Sequence, residues 1–410
     1  MADIYVSKAG HDGTGDGSLA NPYKTIKKAY DESSEGNEIQ ILDSGIYEVG
    51  GPDLASDRVF LTTNVSFTVA SGQFPTIDGT SARSISRPAF HGSTGPGGKT
   101  VSFTGFTFDS FTGSSNPICD QAQKIALQFN QCIFKNMNNV PIFSNPPEAT
   151  SASPNMLNRS EVRSTTHFTV IGGNTGTDKH FLFKNSIFHH TASSANVSYV
   201  DSGDGSHTNA IMRNCSLLTT HDGNLGGGGA AIIRFGVIEN TILRNLGGGD
   251  QTVGINAASS RSNNCTFGNF LTQQTGGTNG GNNLTSTNPL FVDESSPTGR
   301  GGGLKLQSGS PCIGAGKTIA SVTVDFDGTS RFVPYDMGAY QAAAPAFTAD
   351  GSETSRRKFG SREFLLNATA NKLATRGFID DRDNRQAPFS VTVAGPQTIR
   401  KRTTPYKNET

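Results

Sequence analysis

Six short runs with apolar positions two residues apart recur along the middle of the chain: Phe106 to Ser110, Cys132 to Asn136, Ser186 to His190, Cys215 to Thr219, Thr241 to Asn245 and Cys265 to Asn269. The third residue of each is large and apolar: Phe108, Phe134, Phe188, Leu217, Leu243 and Phe267. These markers lie 26, 54, 29, 26 and 24 residues apart, so one position recurs about every 26 residues if the longest interval holds two turns of a repeat. Period-two alternation, β-branched and aromatic content and a closing Asn or Gly describe a strand followed by a turn that tolerates the left-handed region. Asn185, Asn214, Asn240 and Asn264 stand immediately before four of the runs. A unit this short has no room for a crossover helix and its loops. The pattern therefore predicts an all-β chain, a single-stranded right-handed parallel β-helix. Each coil would lay its strand about 4.8 Å above the last, with equivalent side chains stacked in ladders. The six markers are expected in a single interior ladder.

The flanks read differently, and three regions follow: residues 1–50 as a cap and first coil, 51–341 as the β-helix body, and 342–410 as a separate tail. Near the start, Pro22 and the spacing of Ile26, Ala29 and Tyr30 predict a short amphipathic helix that covers the open end of the first coil. Strand-like Ile4-Tyr5-Val6 follows Met1 too closely to leave space for a secretion signal, and no apolar run reaches 18 residues, so no membrane partner is expected. In the tail, 346–360 reads as a solvated charged stretch. Ser361, Glu363, Phe364, Leu365, Ala368 and Leu373 suggest a helix over 361–375. Phe389, Val391 and Val393 alternate as a strand, Gly395-Pro396 turns it, and Ile399, Arg400, Lys401, Arg402 and Tyr406 follow. Spaced apolar residues beside clustered charge imply packing against another chain.

Composition sharpens this picture. Only 34% of the 410 residues are hydrophobic while Gly numbers 49, which suits a solenoid whose narrow core needs few large side chains and whose many turns need positive φ. The formal charge is zero overall, yet residues 342–410 carry 12 Lys+Arg against 7 Asp+Glu, leaving the tail at +5 and the body at −5. Five cysteines, three of them in the repeated runs, read as buried free thiols rather than as a disulfide framework.

Two resemblances rest on particular residues. Tyr5-Val6-Ser7, the Gly/Asp loop from Gly10 to Gly17, Asn21 to Ile26, and Ser44-Gly45-Ile46-Tyr47 are similar to the amino-terminal signature of the pectate-lyase-like superfamily of parallel β-helix proteins. Asn288 to Asp293, Leu304-Lys-Leu306, Gly309-Ser310-Pro311-Cys312, Asp327-Gly328, Arg331 and Asp336-Met-Gly338-Ala339-Tyr340 resemble the last coils of bacterial β-helix proteins known as choice-of-anchor Q. The first resemblance implies the fold and not an activity; the second implies that the segment forms terminal coils.

Convergent catalytic charge is sparse. Asp201, Asp204 and His207, with Lys184, His189 and His190 nearby in sequence, form the best candidate set, since a carboxylate pair about 5 to 9.5 Å apart can divide acid and base duties. Asp and Gly in such a stretch are also ordinary turn formers. The loop from His11 to Gly17 has a passing likeness to a calcium loop but lacks the closing Glu, so neither a metal nor a cofactor is expected. The absence of Trp argues modestly against a dedicated polysaccharide enzyme. The resulting expectation is a structural virion protein of a bacteriophage. It would dock on other virion proteins through residues 343–410, as a trimer or with a bound surface glycan as options, and without nucleic acid. The alternative is a polysaccharide lyase or glycoside hydrolase.

Overall fold

A computed structural model describes residues 3–48, 59–79, 90–92, 98–111, 118–120, 125–137, 142–144, 151–164, 171–172, 180–190, 200–201, 209–220, 231–247, 251–298, 302–342, 355–359, 362–369 and 372–377. The chain divides into two compact units, Met1–Ala344 and Pro345–Thr410. The first is a parallel β-helix.

Its strands sort into three parallel sheets, because successive coils contribute strands to the first and second in turn and five of them also to the third. The first sheet stacks Asp3–Val6, Asn37–Ile41, Val65–Val69, Lys99–Thr104, Ile125–Asn130, Asn155–Asn158, Phe181–Lys184 and Ala210–Arg213 in sequence order, then Ala231–Glu239 and Gln251–Ser262. The second is 10-stranded and runs from Ile46–Glu48 to Leu284–Thr285. A 5-stranded third sheet links Val59–Leu61, Phe90–Gly92, Cys119–Asp120, Phe143–Ser144 and Ile171–Gly172. The helix Ile26–Asp31 buries Ile26, Ala29 and Tyr30, as their spacing predicts, and starts on Thr25, whose side chain accepts a hydrogen bond from the Lys28 amide.

In the second sheet the register runs Tyr47, Ile77, Phe108, Phe134, Val162, Phe188, Leu217, Leu243, Thr266, Thr285. The interval of 54 does hold two coils, and Val162 fills the missing rung. One expected member is misplaced. Phe267 pairs with Arg244, not Leu243, and stands half-buried on the outer face with the Arg244 guanidinium 4.5 Å from its ring centre. The consecutive Asn263 and Asn264 shift the last coil by one residue relative to the marker pattern, and with period two a shift of one moves every side chain to the opposite face. Cys265 therefore points outward and does not join Cys132 and Cys215 in their stack.

Phenylalanine fills the interior. Phe67 and Phe103 stack at 4.7 Å between ring centres, Phe103 and Phe129 at 5.4 Å, all from the first sheet. From the second sheet Phe108 and Phe134 stack at 5.0 Å and meet the first set edge-on, Phe103 to Phe108 at 5.7 Å and Phe129 to Phe134 at 5.1 Å. Each such pair adds about 0.5–1.5 kcal/mol beyond area burial.

The second unit contains an antiparallel sheet of Ser355–Phe359, Arg362–Thr369 and Lys372–Gly377. Where the expected helix over 361–375 and the expected irregular stretch over 346–360 fall on described residues, both are replaced by strand. The register pairs Phe359 with Arg362, so only Gly360 and Ser361 separate the two strands, a dipeptide favoured in two-residue hairpins; this local signal outranked the apolar spacing.

Register makes a direct prediction. Leu243→Asp, which buries an unpaired carboxylate, should destabilise the first unit by about 3 kcal/mol or more, whereas Phe267→Ala should cost about 1 kcal/mol or less. Thermal melts of the two variants measure this, and comparable losses would contradict the register.

Candidate functional site

Between the first and second sheets the coils from Ile125–Asn130 to Gln251–Ser262 each turn on one residue in the left-handed region: Gln131 at φ 55°, Arg159 at 51°, Asn185 and Asn214 at 50°, Asn240 at 52° and Asn263 at 53°. The conformation costs most L-residues about 1–2 kcal/mol, and Asn tolerates it best. The following position carries a small side chain that bonds along the stack. Ser160 Oγ accepts from the Cys132 amide at 3.2 Å and donates to the Phe129 carbonyl at 3.2 Å. Asn264 does the same with its two ends, accepting from the Thr241 amide at 2.9 Å and donating to the Ile238 carbonyl at 2.8 Å. Asn264 thus belongs to this second column, and the turn residue of its coil is Asn263.

The turn column has a further duty. From Asn288 to Ala342 the described residues form no additional coil, contrary to the terminal coils expected there; among them there are isolated bridges such as Phe291 to Leu306 and Gly316 to Tyr335. It instead lies along the turn column as a strap, travelling back over five coils and returning. Asn263 Nδ2 donates to the Ala315 carbonyl at 2.8 Å. Asn240 accepts from the Lys317 amide and donates to the Lys317 carbonyl, both at 2.7 Å. Arg159 Nε reaches the Phe326 carbonyl at 2.9 Å, Arg331 Nη2 the Asn185 Oδ1 at 3.0 Å, and Asn214 Nδ2 the Asp336 carbonyl at 3.3 Å. An amide side chain in a left-handed turn presents the same donor and acceptor pair as a strand edge.

Apolar packing completes the contact. Ile187, Leu218, Ile242 and Cys265, on the outer face of the second sheet, form a separate core with Phe291, Leu304, Cys312, Phe326, Met337 and Tyr340 of the strap. Gly338 passes so close that a Cβ there would lie 2.8 Å from Ile242 Cδ1 and from Ser216 Oγ, and its φ of +88° also favours glycine. Arg331 is the buried hub. Its guanidinium donates to the carbonyls of Gly338 at 3.0 Å and Ala339 at 2.9 Å as well as to Asn185. Burial lowers its pKa to about 10 despite the nearby Asp325 and Asp336. Those carboxylates cap strap amides: Asp325 accepts from Thr329 and Gln341, Asp336 from Gly314 and Ala342.

At the edge of the strap a carboxylate is fully buried. Glu161 lies between Ile133 and Ile187 in register; its Oε1 accepts from Arg163 Nε at 2.6 Å, and its Oε2 has no hydrogen-bond partner among the described residues. His189, beside Arg163 in the next coil, has its pKa lowered by burial, which the Glu161 charge opposes and the Arg163 charge assists. The Tyr340 phenol is pushed well up by burial and by the charges of Asp327, Glu161 and Asp325. A neutral imidazole and a carboxylate can exchange protons with a substrate, but a carboxylate at 0% exposure cannot touch one, so in this conformation the group is structural.

Some of the sequence-predicted candidates lie among the described residues. Lys184 ends a strand of the first sheet, while His189 and His190 lie beyond the Asn185 turn on the second, His190 buried and His189 outward. Asp201 closes the strand Val200–Asp201, in register with Arg234. Asp204 and His207 lie outside the described residues, as do Phe389, Val391, Val393, Ile399, Arg400, Lys401, Arg402 and Tyr406. In the amino-terminal loop, Asp12 Oδ1 accepts from the Lys24 and Thr25 amides and Oδ2 from Thr25 Oγ1, so both oxygens serve the helix start. No group of three or more potential metal ligands occurs among the described residues. The strap contacts went unread because backbone carbonyls accept most of them, and carbonyls leave no mark in a sequence. The Asn column itself was visible.

Fold and site together define a parallel β-helix closed along one turn column by its own carboxy-terminal strap. Among solved structures the chain is similar to pectate lyase Pel9A, with TM-score 0.32 and 12% identity, over 83% of this chain and 96% of that one. No protein-family model matches the chain. No curated protein matches it.

One acid–base consequence is testable. Glu239 receives Arg213 Nε and Lys317 Nζ, each at 2.9 Å, the second from the strap. Burial alone would raise its pKa, but the bonds from Lys317 and Arg213 outweigh burial and hold it below the usual 4.5. A depressed folded pKa stabilises above the unfolded value and is lost as pH falls through the folded one. Glu239→Gln should therefore be less stable than wild type by roughly 1 kcal/mol at pH 7. The gap should close below about pH 4.5. Denaturant melts across pH measure it, and a gap unchanged at acid pH would contradict the assignment.

Proposed function

We propose that this chain is a structural virion protein of a bacteriophage, a rigid β-helix carried on the particle by its C-terminal unit. The observation that supports this best is the division at Ala344 and Pro345, beyond which the chain holds an antiparallel sheet of its own. Its three strands carry Arg356, Arg357, Lys358, Arg362, Lys372 and Arg376 against the single acidic Glu363. A basic sheet of this kind suits an acidic partner surface. In sequence the same sign continues through Arg400, Lys401 and Arg402, beside the alternating Phe389, Val391 and Val393, a pattern suited to adding a strand to a partner's sheet edge. Other virion proteins are the partners in this reading, and a trimer or a glycan-bearing host surface is compatible with it.

Deletion of residues 345–410 tests the assignment. The expected product keeps the circular dichroism and melting behaviour of a β-helix but is missing from purified particles by mass spectrometry. Incorporation of the truncated chain at full occupancy would overturn the docking role. Cleavage of pectin or alginate that disappears in Asp204→Asn or His207→Ala would instead favour a polysaccharide lyase.

A further inference from the structure

Two of the buried thiols share one small core. Cys265 opens the strand Cys265–Phe267 on the outer face of the second sheet, between Ile242 and Leu284 in register. Cys312 belongs to the strap, its amide bonded to Ser310 Oγ at 3.1 Å and its carbonyl to the Met337 amide at 3.0 Å. Both are fully buried in the same strap core, where the Cys265 thiol donates to the Thr287 carbonyl at 3.3 Å and Cys312 is the titratable neighbour that acts on it. The other described thiols have different surroundings. Cys132 and Cys215 occupy one column with Ser160 and Ser186 between them, three coils or roughly 14 Å apart, beyond disulfide reach. Their thiols bond to carbonyls of the solenoid, Cys132 to Phe103 and Cys215 to Arg213, each at 3.4 Å.

We propose that Cys265 and Cys312 are a disulfide site that locks the strap to the last coils of the β-helix under oxidising conditions. The oxidant is a small disulfide such as oxidised glutathione. One thiolate attacks it to form a mixed disulfide and expels one glutathione thiol; the second cysteine then displaces the other glutathione. The protein loses two protons and two electrons and gains one S–S bond, while the oxidant's S–S bond becomes two thiols. The neighbouring Cys312 thiol and burial push the Cys265 thiol far above its usual pKa, so the closed state holds almost no thiolate. Reaction therefore passes through an opened strap or through folding, and closure afterwards is held covalently. A bond across the strap contact closes a long loop, which restricts the unfolded chain and raises stability.

The experiment uses the full chain. Reduced protein is either incubated folded with oxidised glutathione or refolded from denaturant in the same buffer, then alkylated in denaturant, digested without reductant and mapped by mass spectrometry. The expected product is a linked peptide joining Cys265 to Cys312, lighter by two hydrogens than its two halves, removed by dithiothreitol and absent from Cys312→Ser. The oxidised protein should melt roughly 5 °C or more above the reduced one, and Cys312→Ser should show no such shift. Full alkylation of both cysteines in both arms, or their linkage to other cysteines, would overturn the site. A linked peptide without a rise in melting temperature would overturn the lock.

Discussion

The left-handed turn between the first and second sheets is the constraint from which the rest follows. The coils from Ile125–Asn130 onward bend there on one residue, and a side chain in that conformation points away from the interior where the ladders are built. Repetition then aligns those side chains: Arg159, Asn185, Asn214, Asn240 and Asn263 form a column of polar groups along one edge of the solenoid. Asn suits the position twice over, since it tolerates the backbone and offers both a donor and an acceptor. A bare column of amides would be solvated. Here the strap supplies carbonyls and amides in matching positions, and its apolar side chains cover Ile187, Leu218 and Ile242 on the adjoining face.

Two cores therefore stabilise the first unit by different means. The interior relies on phenylalanine rings stacked along the coil axis and meeting edge-on across it, an arrangement that tolerates Val162 or Thr266 in a rung because neighbouring coils hold the spacing. The outer core depends on a polar frame of Arg331, Asp325, Asp336 and Glu239, which fixes where the strap sits. Truncating the buried Arg331 would take its donor from Asn185 Oδ1 and from the carbonyls of Val324, Gly338, Ala339 and Tyr340, a loss larger than the net worth of the contact.

Much of this was legible in the residues. Period-two runs at a constant interval gave the solenoid, Asn before the runs gave the turns, and Pro22 with Ile26, Ala29 and Tyr30 gave the short helix. The failures have physical causes. Asn263 and Asn264 are chemically identical, so the pattern could not say which one turned, and the one-residue choice sent Phe267 inward and Cys265 into the wrong stack. The strap lacks periodicity because it is held by backbone groups and isolated bridges. Its motif residues, Arg331 and Gly338 among them, were visible as a pattern, but their reasons, a buried hub and a close approach to Ile242, exist only in three dimensions. In the second unit, apolar spacing suggested a helix where the Gly360-Ser361 dipeptide and flanking strands formed a hairpin.

The central claim is that side chains of the turn column hold the strap. Asn240→Gly isolates it, because glycine accepts the φ of +52° without strain while both bonds to Lys317 are lost. Amide hydrogen exchange read by mass spectrometry on this variant should show residues 313–342 exchanging about tenfold faster or more, with the strand Ile242–Asn245 as protected as in wild type. A strap that keeps its protection when Asn240 has no amide would contradict the account.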